Sequence, residues 1–127
     1  MKLPNPKTAI CILVVSLFAT MPTQSMAADG AKVYKKCQAC HDLEAGKHKV
    51  GPSLAGIVGR KAGTANGYTK YKGLKDADWI WTEAELMAYL EDPSAYTKAK
   101  NGGRSSMAFK LKKEEERIAV IEFLKSH

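Results

Sequence analysis

Apolar positions fall into three patterns along the chain. From Thr8 to Ala19 they are almost continuous (Ala9, Ile10, Cys11, Ile12, Leu13, Val14, Val15, Leu17 and Phe18). From Thr82 onward they are spaced as on a helix: Leu86, Tyr89 and Leu90 share one face, and a second helix carries Ile118, Ile121 and Leu124 with Val120 beside them. Residues 42–78 show no strong period and are rich in glycine. Helix-terminal signals sharpen this reading. Asp29 suits the cap of a first helix running toward Cys37. Thr82-Glu83-Ala84-Glu85 reads as a capping box, and Pro93 ends the helix it opens. Glu114, Glu115 and Glu116 face the positive end of the last helix dipole, and Lys125 closes that helix. No segment alternates convincingly as a strand. The expected fold is all-α, with three main helices and long loops.

The first apolar run has a separate meaning. It follows a short basic stretch holding Lys2 and Lys7, spans about 12 residues, and gives way to Pro22 and then Ser25-Met26-Ala27. A membrane-spanning helix needs about 20 apolar residues. A basic start, a short apolar run and small residues before a cut describe a secretory leader. Residues 1–27 are therefore expected to be removed, leaving one domain over 28–127.

The chain has 127 residues, 45% apolar and 26% charged, which excludes a multidomain enzyme, a fibre and a disordered polymer. Its charge is +7; without the leader, 18 basic and 13 acidic side chains remain. A domain of about 100 residues builds only a modest core, to which a large apolar cofactor would add.

Cys37-Gln38-Ala39-Cys40-His41 supplies that cofactor. The pattern C-x-x-C-H attaches c-type haem. One helical turn sets both thiols against one porphyrin edge, where they add to the vinyl groups, and the next residue aims its imidazole at the iron. A redox dithiol would want a βαβ setting, and zinc would want two further ligands; neither is visible. With His41 as one axial ligand, Met87, Met107, His48 and His127 compete for the other. Met87 lies within a helical pattern and reads as core, His48 reads as a solvated loop residue between lysines, and His127 ends the chain. Met107 follows the flexible run Asn101-Gly102-Gly103-Arg104-Ser105-Ser106 and is the expected sixth ligand.

With these features in place, residues 28–127 resemble a class I cytochrome c, most of all the bacterial periplasmic carriers with a long methionine loop. The resemblance rests on Gly30 and Tyr34, on Gly51-Pro52-Ser53-Leu54, on Gly59-Arg60, on Trp81, on Tyr89-Leu90-Glu91-Asp92-Pro93, on Ser106-Met107-Ala108-Phe109 and on the last helix. It implies one covalently bound haem c, with the Pro52 carbonyl on the other nitrogen of His41. It implies that Arg60, Tyr68 and Trp81 surround the haem propionates; counting back from Tyr89 favours Trp81 over Trp79. Two features depart from the family pattern. Gly102-Gly103 turns the chain where many members have Ile-Pro-Gly, and Leu74 stands where many have an asparagine near the haem.

The implied function is that of a soluble periplasmic electron carrier and not an enzyme. The alternatives are a haem c subunit of a dehydrogenase or oxidase complex, and a haem enzyme or sensor with a labile methionine. Lys36 adjoins the cysteine pair, while Lys98, Lys100 and Lys113 flank the Met107 segment. Such a basic ring would steer a monomeric carrier onto acidic partners such as membrane oxidases, reductases or reaction centres. The expected compartment excludes nucleic acid, despite a pI near 9.3, and no stable membrane insertion is expected.

Overall fold

The computed structural model describes residues 28–127, so the expected leader lies outside the described residues. Four helices occur in these residues: α1 (Gly30–Tyr34), α2 (Glu83–Glu91), α3 (Pro93–Asn101) and α4 (Glu114–Leu124). No strand forms among them, only one antiparallel bridge between Lys61 and Ile80. The all-α expectation holds. No helix among the described residues is long and apolar enough to cross a membrane.

The helix starts follow the sequence signals. Asp29 Oδ1 accepts from the N–H groups of Ala31 and Lys32 at 3.0 and 3.4 Å. Thr82 Oγ1 accepts from the Glu85 N–H at 3.2 Å. The Glu85 carboxylate does not complete the capping box; it accepts from Tyr96 Oη and Lys100 Nζ of α3. Helix α3 has no counterpart in the sequence reading, which used Pro93 only as a stop. Asp92 ends α2 and also caps α3, its Oδ1 accepting from the Ala95 N–H at 3.1 Å, and Pro93 opens the first turn.

The apolar face of α4 differs from expectation by one residue. Its buried residues are Arg117, Val120, Ile121 and Leu124, while Ile118 is 56% exposed. The Arg117 stem lies in the core, and its guanidinium donates to the carbonyls of Leu111 and Lys112, both at 2.8 Å.

Helix α1 packs on α4, α4 on α2, and α2 on α3. The first crossing is close because Gly30 has no side chain: a Cβ there would sit 2.3 Å from the Ala119 carbonyl oxygen and 2.7 Å from Phe123 Cβ. One turn further, Tyr34 and Phe123 pack with ring centroids 5.4 Å apart. The core adds Trp79, Trp81, Tyr89 and Leu111.

The long segment before α2 is irregular, as expected, but it is tied in place. Its neck is a pair of backbone bonds, Gly59 N–H to Trp81 O and Trp81 N–H to Arg60 O, both at 2.8 Å. His48 contributes a second tie and is half-buried, not the solvated residue expected. Its Nδ1 accepts from the Ser53 N–H at 3.0 Å, and its Nε2–H donates to the Asn66 carbonyl at 2.8 Å. Two stretches distant in sequence meet on this one ring.

Gly30→Ala should force α1 off α4 and lower the unfolding free energy by about 2 kcal/mol, the usual cost of overpacking. Denaturant titration followed by far-ultraviolet circular dichroism measures it. An unchanged midpoint would show that this crossing tolerates a methyl group and does not hold the fold together.

Candidate haem site

The Cys37–His41 segment continues the direction of α1 as a series of turns. Gln38 N–H donates to Tyr34 O at 3.1 Å, and the N–H groups of Cys40 and His41 both donate to Cys37 O at 3.0 Å. Cys37 is half-buried and Cys40 exposed, and no disulfide joins them. One helical turn therefore carries both sulfurs and the imidazole.

The loop that follows fixes the ring. His41 Nδ1–H donates to the Pro52 carbonyl at 2.7 Å. Gly51 N–H donates to Cys40 O at 2.7 Å, bringing the loop against the motif. Only glycine fits at this point, because a Cβ on Gly51 would lie 2.3 Å from His41 Cε1. Burial is the largest influence on the imidazole and holds its pKa below the usual histidine value; the Pro52 bond opposes it, and Arg60 and Lys49 reinforce it. The neutral ring, protonated at Nδ1, keeps its Nε2 lone pair for a metal. The His41 carbonyl accepts from Tyr34 Oη at 3.3 Å and from Lys49 Nζ at 3.2 Å. Lys49 Nζ also donates to Gln38 O at 2.8 Å and so covers the carbonyl end of the turn. Sequence reasoning gave Lys49 no such role. A lysine at the end of a helical turn was the available signal.

Met107 lies in the loop between α3 and α4. It is partly buried and packs against the main core, as do Cys37, Leu54 and Leu74. Its N–H donates to Ser105 Oγ at 3.1 Å, and Ser105 Oγ is 2.8 Å from Tyr89 Oη. Both hydroxyls are buried, and burial holds the Tyr89 phenol above the usual tyrosine pKa. A helix-based tyrosine thus sets the backbone of the methionine segment. Met87, the rival sulfur, lies in α2 packed against the core.

The remaining expected residues divide. Arg60 donates through its two terminal nitrogens to Ala55 O at 2.8 Å and Ser53 O at 3.0 Å, while its buried Nε–H has no partner among the described residues. The neck bonds set Trp81 beside Arg60, and Trp81 is buried against Tyr89, with ring centroids 4.8 Å apart. Tyr68 donates its hydroxyl to Val50 O at 2.8 Å. The neighbouring Tyr71, which the sequence reading passed over, accepts from the Ala65 N–H at 3.0 Å. Lys36 pairs with Glu116 at 2.7 Å, and Lys100 pairs with Glu85 beneath the Trp79 and Tyr96 rings. Lys98 and Lys113 make no ion pair among the described residues.

These residues fit a haem. The donor set is two thiols and a nitrogen on one turn, with a thioether on a separate loop. Half-buried Leu54 and Leu74 are apolar enough to meet a macrocycle. The orphaned Arg60 Nε–H is a buried donor suited to a carboxylate.

Comparison with known proteins agrees. A sequence model of the family described as cytochrome c matches residues 27–127. Cytochrome c2 of Rhodopseudomonas palustris is 42% identical over 111 residues, covering 77% of this chain and 95% of that protein. The solved structure of cytochrome c2 from Rhodospirillum centenum aligns with a TM-score of 0.67 at 36% identity, over 78% of this chain and 98% of that one. Cytochrome c2 from Rhodobacter sphaeroides aligns with a TM-score of 0.70 at 33% identity, over 76% and 91%. A thiol–thiol–imidazole turn, a fold shared along nearly the whole length of these structures and a family match over the same residues lead to one conclusion: the chain belongs to the cytochrome c family, carries one covalently bound haem c, and is an electron carrier and not an enzyme.

Proposed function

We propose that this chain shuttles single electrons between periplasmic redox complexes through a haem held by Cys37 and Cys40 and ligated by His41 and Met107. The observation that carries this reading is the 2.7 Å bond from His41 Nδ1 to Pro52 O, which leaves Nε2 as the ligating nitrogen one turn from both thiols. The bound group supplies a one-electron iron couple. The chain does the rest. His41 is locked in one tautomer and orientation. The Met107 thioether and the surrounding burial both favour the less charged ferrous state and raise the potential. Arg60 would meet a propionate through its unpaired Nε–H, with Trp81 and Tyr68 as the other residues expected to hold the propionates.

A periplasmic location would follow from removal of a leader over residues 1–27. That removal would leave Ala28 beside the Asp29 cap, and a family match that begins at residue 27 supports this reading. The cytochromes c2 it resembles are bacterial.

The partners are acidic redox proteins, of the class of oxidases, reductases or reaction centres. Lys98 and Lys113 carry unneutralised charge, whereas the ion pairs of Lys36 and Lys100 hold their ammonium groups to the body. Val50, two residues before Pro52, is 75% exposed, and Phe109, two residues after Met107, is 41% exposed. Exposed apolar side chains together with cations that make no ion pair suit a brief protein contact.

Met107→Ala should abolish the weak near-infrared band of ferric haem with a sulfur ligand and lower the potential. Met87→Ala should cost stability and keep the band. The reverse pattern would transfer the ligand role to Met87.

Lys98→Glu with Lys113→Glu should slow electron exchange with an acidic partner and flatten its dependence on salt, which screens charges beyond about 8 Å at physiological ionic strength. Lys32→Glu with Lys125→Glu changes net charge equally and should do little, since those side chains already pair with the α1 cap Asp29 and with acids of α2 and α4. Equal slowing by both pairs, in stopped-flow kinetics, would mean that total charge alone matters.

A further inference from the structure

The Met107 loop leaves the body at Gly102 and rejoins it where the Leu111 N–H donates to Leu90 O at 2.8 Å. One side chain secures the departing end. Asn101, the last residue of α3, donates through Nδ2 to Gly73 O at 2.9 Å and to Lys75 O at 3.0 Å. One amide group spends both its hydrogens on two carbonyls that lie 26 and 28 residues away in sequence. The backbones at this junction touch. A Cβ on Gly73 would meet Thr97 Cγ2 at 2.5 Å and the carbonyl carbon and oxygen of Arg104 at 2.6 Å. Arg104 lies three residues before Met107, so the start of the ligand loop rests directly on Gly73.

We infer that Asn101 is a positioning residue for the sixth iron ligand: it latches the base of the Met107 loop to the 73–75 backbone and so holds the thioether at the iron. This rests on the reading of Met107 as that ligand. Iron–sulfur bonding here is an intramolecular association whose strength depends on the effective concentration of the tethered group. An anchored base keeps Met107 near its bonding position. A free base lets the loop sample open arrangements, and an external ligand then competes more easily.

The test is imidazole titration of the ferric holoprotein, read by loss of the near-infrared sulfur–iron band. Asn101→Ala removes the latch, and Asn101→Asp keeps its size while removing both donors. Both variants should retain the band without imidazole and bind imidazole about tenfold more tightly than the parent, as expected for losing one or two such bonds. Gly73→Ala should act in the same direction by pushing the two backbones apart. Asp29→Ala, which removes the α1 cap, serves as a control for general destabilisation and should leave imidazole affinity unchanged. Unchanged affinity in both Asn101 variants overturns the latch, as does an equal gain in Asp29→Ala. A parent protein with no sulfur band would instead overturn the Met107 reading, and the latch with it.

Discussion

His41 Nδ1 and the Pro52 carbonyl oxygen lie 2.7 Å apart, and much of the surrounding structure serves that contact. A hydrogen bond of this kind contributes only about 1 kcal/mol to folding, so its value lies in orientation. For Nε2 to face the iron, the ring must be approached from behind by a backbone segment. Gly51 permits the approach, since a side chain there would overlap the ring. The Gly51–Cys40 bond and the cover that Lys49 gives the turn bring the segment to its place. Tyr34 completes the connection to the helices: its hydroxyl reaches the His41 carbonyl while its ring packs on Phe123 of α4. The orientation of one imidazole is thus coupled to the crossing of the first and last helices.

Features legible in the sequence are local. Helices α2 and α4 announce themselves through apolar spacing, and C-x-x-C-H places its three groups within one turn whatever the rest of the fold does. Helix α3 is not legible because its apolar packing comes from one tyrosine with no helical period around it. Its buried positions are Pro93 and Thr97, the Tyr96 ring packs among Trp79, Trp81 and Tyr89, and Glu85 fastens Tyr96 and Lys100. Its one signal, Asp92-Pro93, serves as the end of one helix and the start of the next. The buried face of α4 differs from the sequence pattern because Arg117 counts as polar in any pattern while its stem fills a core position, and Ile118, apolar in the pattern, is exposed.

Other features have no sequence period at all. His48 joins Ser53 to Asn66, and Asn101 joins α3 to Gly73 and Lys75, through polar side chains and distant backbone carbonyls. Their partners are set by tertiary placement alone. Elimination among the candidate ligands points to Met107, but only the fold shows how Ser105 and Tyr89 set its backbone. The lysines show the same limit. The sequence carries the number and proximity of cations along the chain, while the fold separates those engaged in ion pairs, such as Lys36 and Lys100, from those with none among the described residues, such as Lys98 and Lys113.

These ties explain how a protein with little helix can carry electrons. Efficient transfer requires that the ligands of the iron stay nearly fixed when its charge changes. Helices would provide that rigidity by packing, yet here both proposed axial ligands are set by loops. The chain compensates at the loop ends and shoulders. On the histidine side, Gly51 and Lys49 pin the loop to the motif turn. On the methionine side, Asn101 holds one end, Leu111 the other, and Ser105 the middle. Each tie ends on a backbone atom or on a buried hydroxyl, groups that cannot move without breaking further bonds. The loops are irregular in shape but not free. Their length, which would count against a compact domain of this size, would give the chain the reach to bring the two proposed ligands to one flat group.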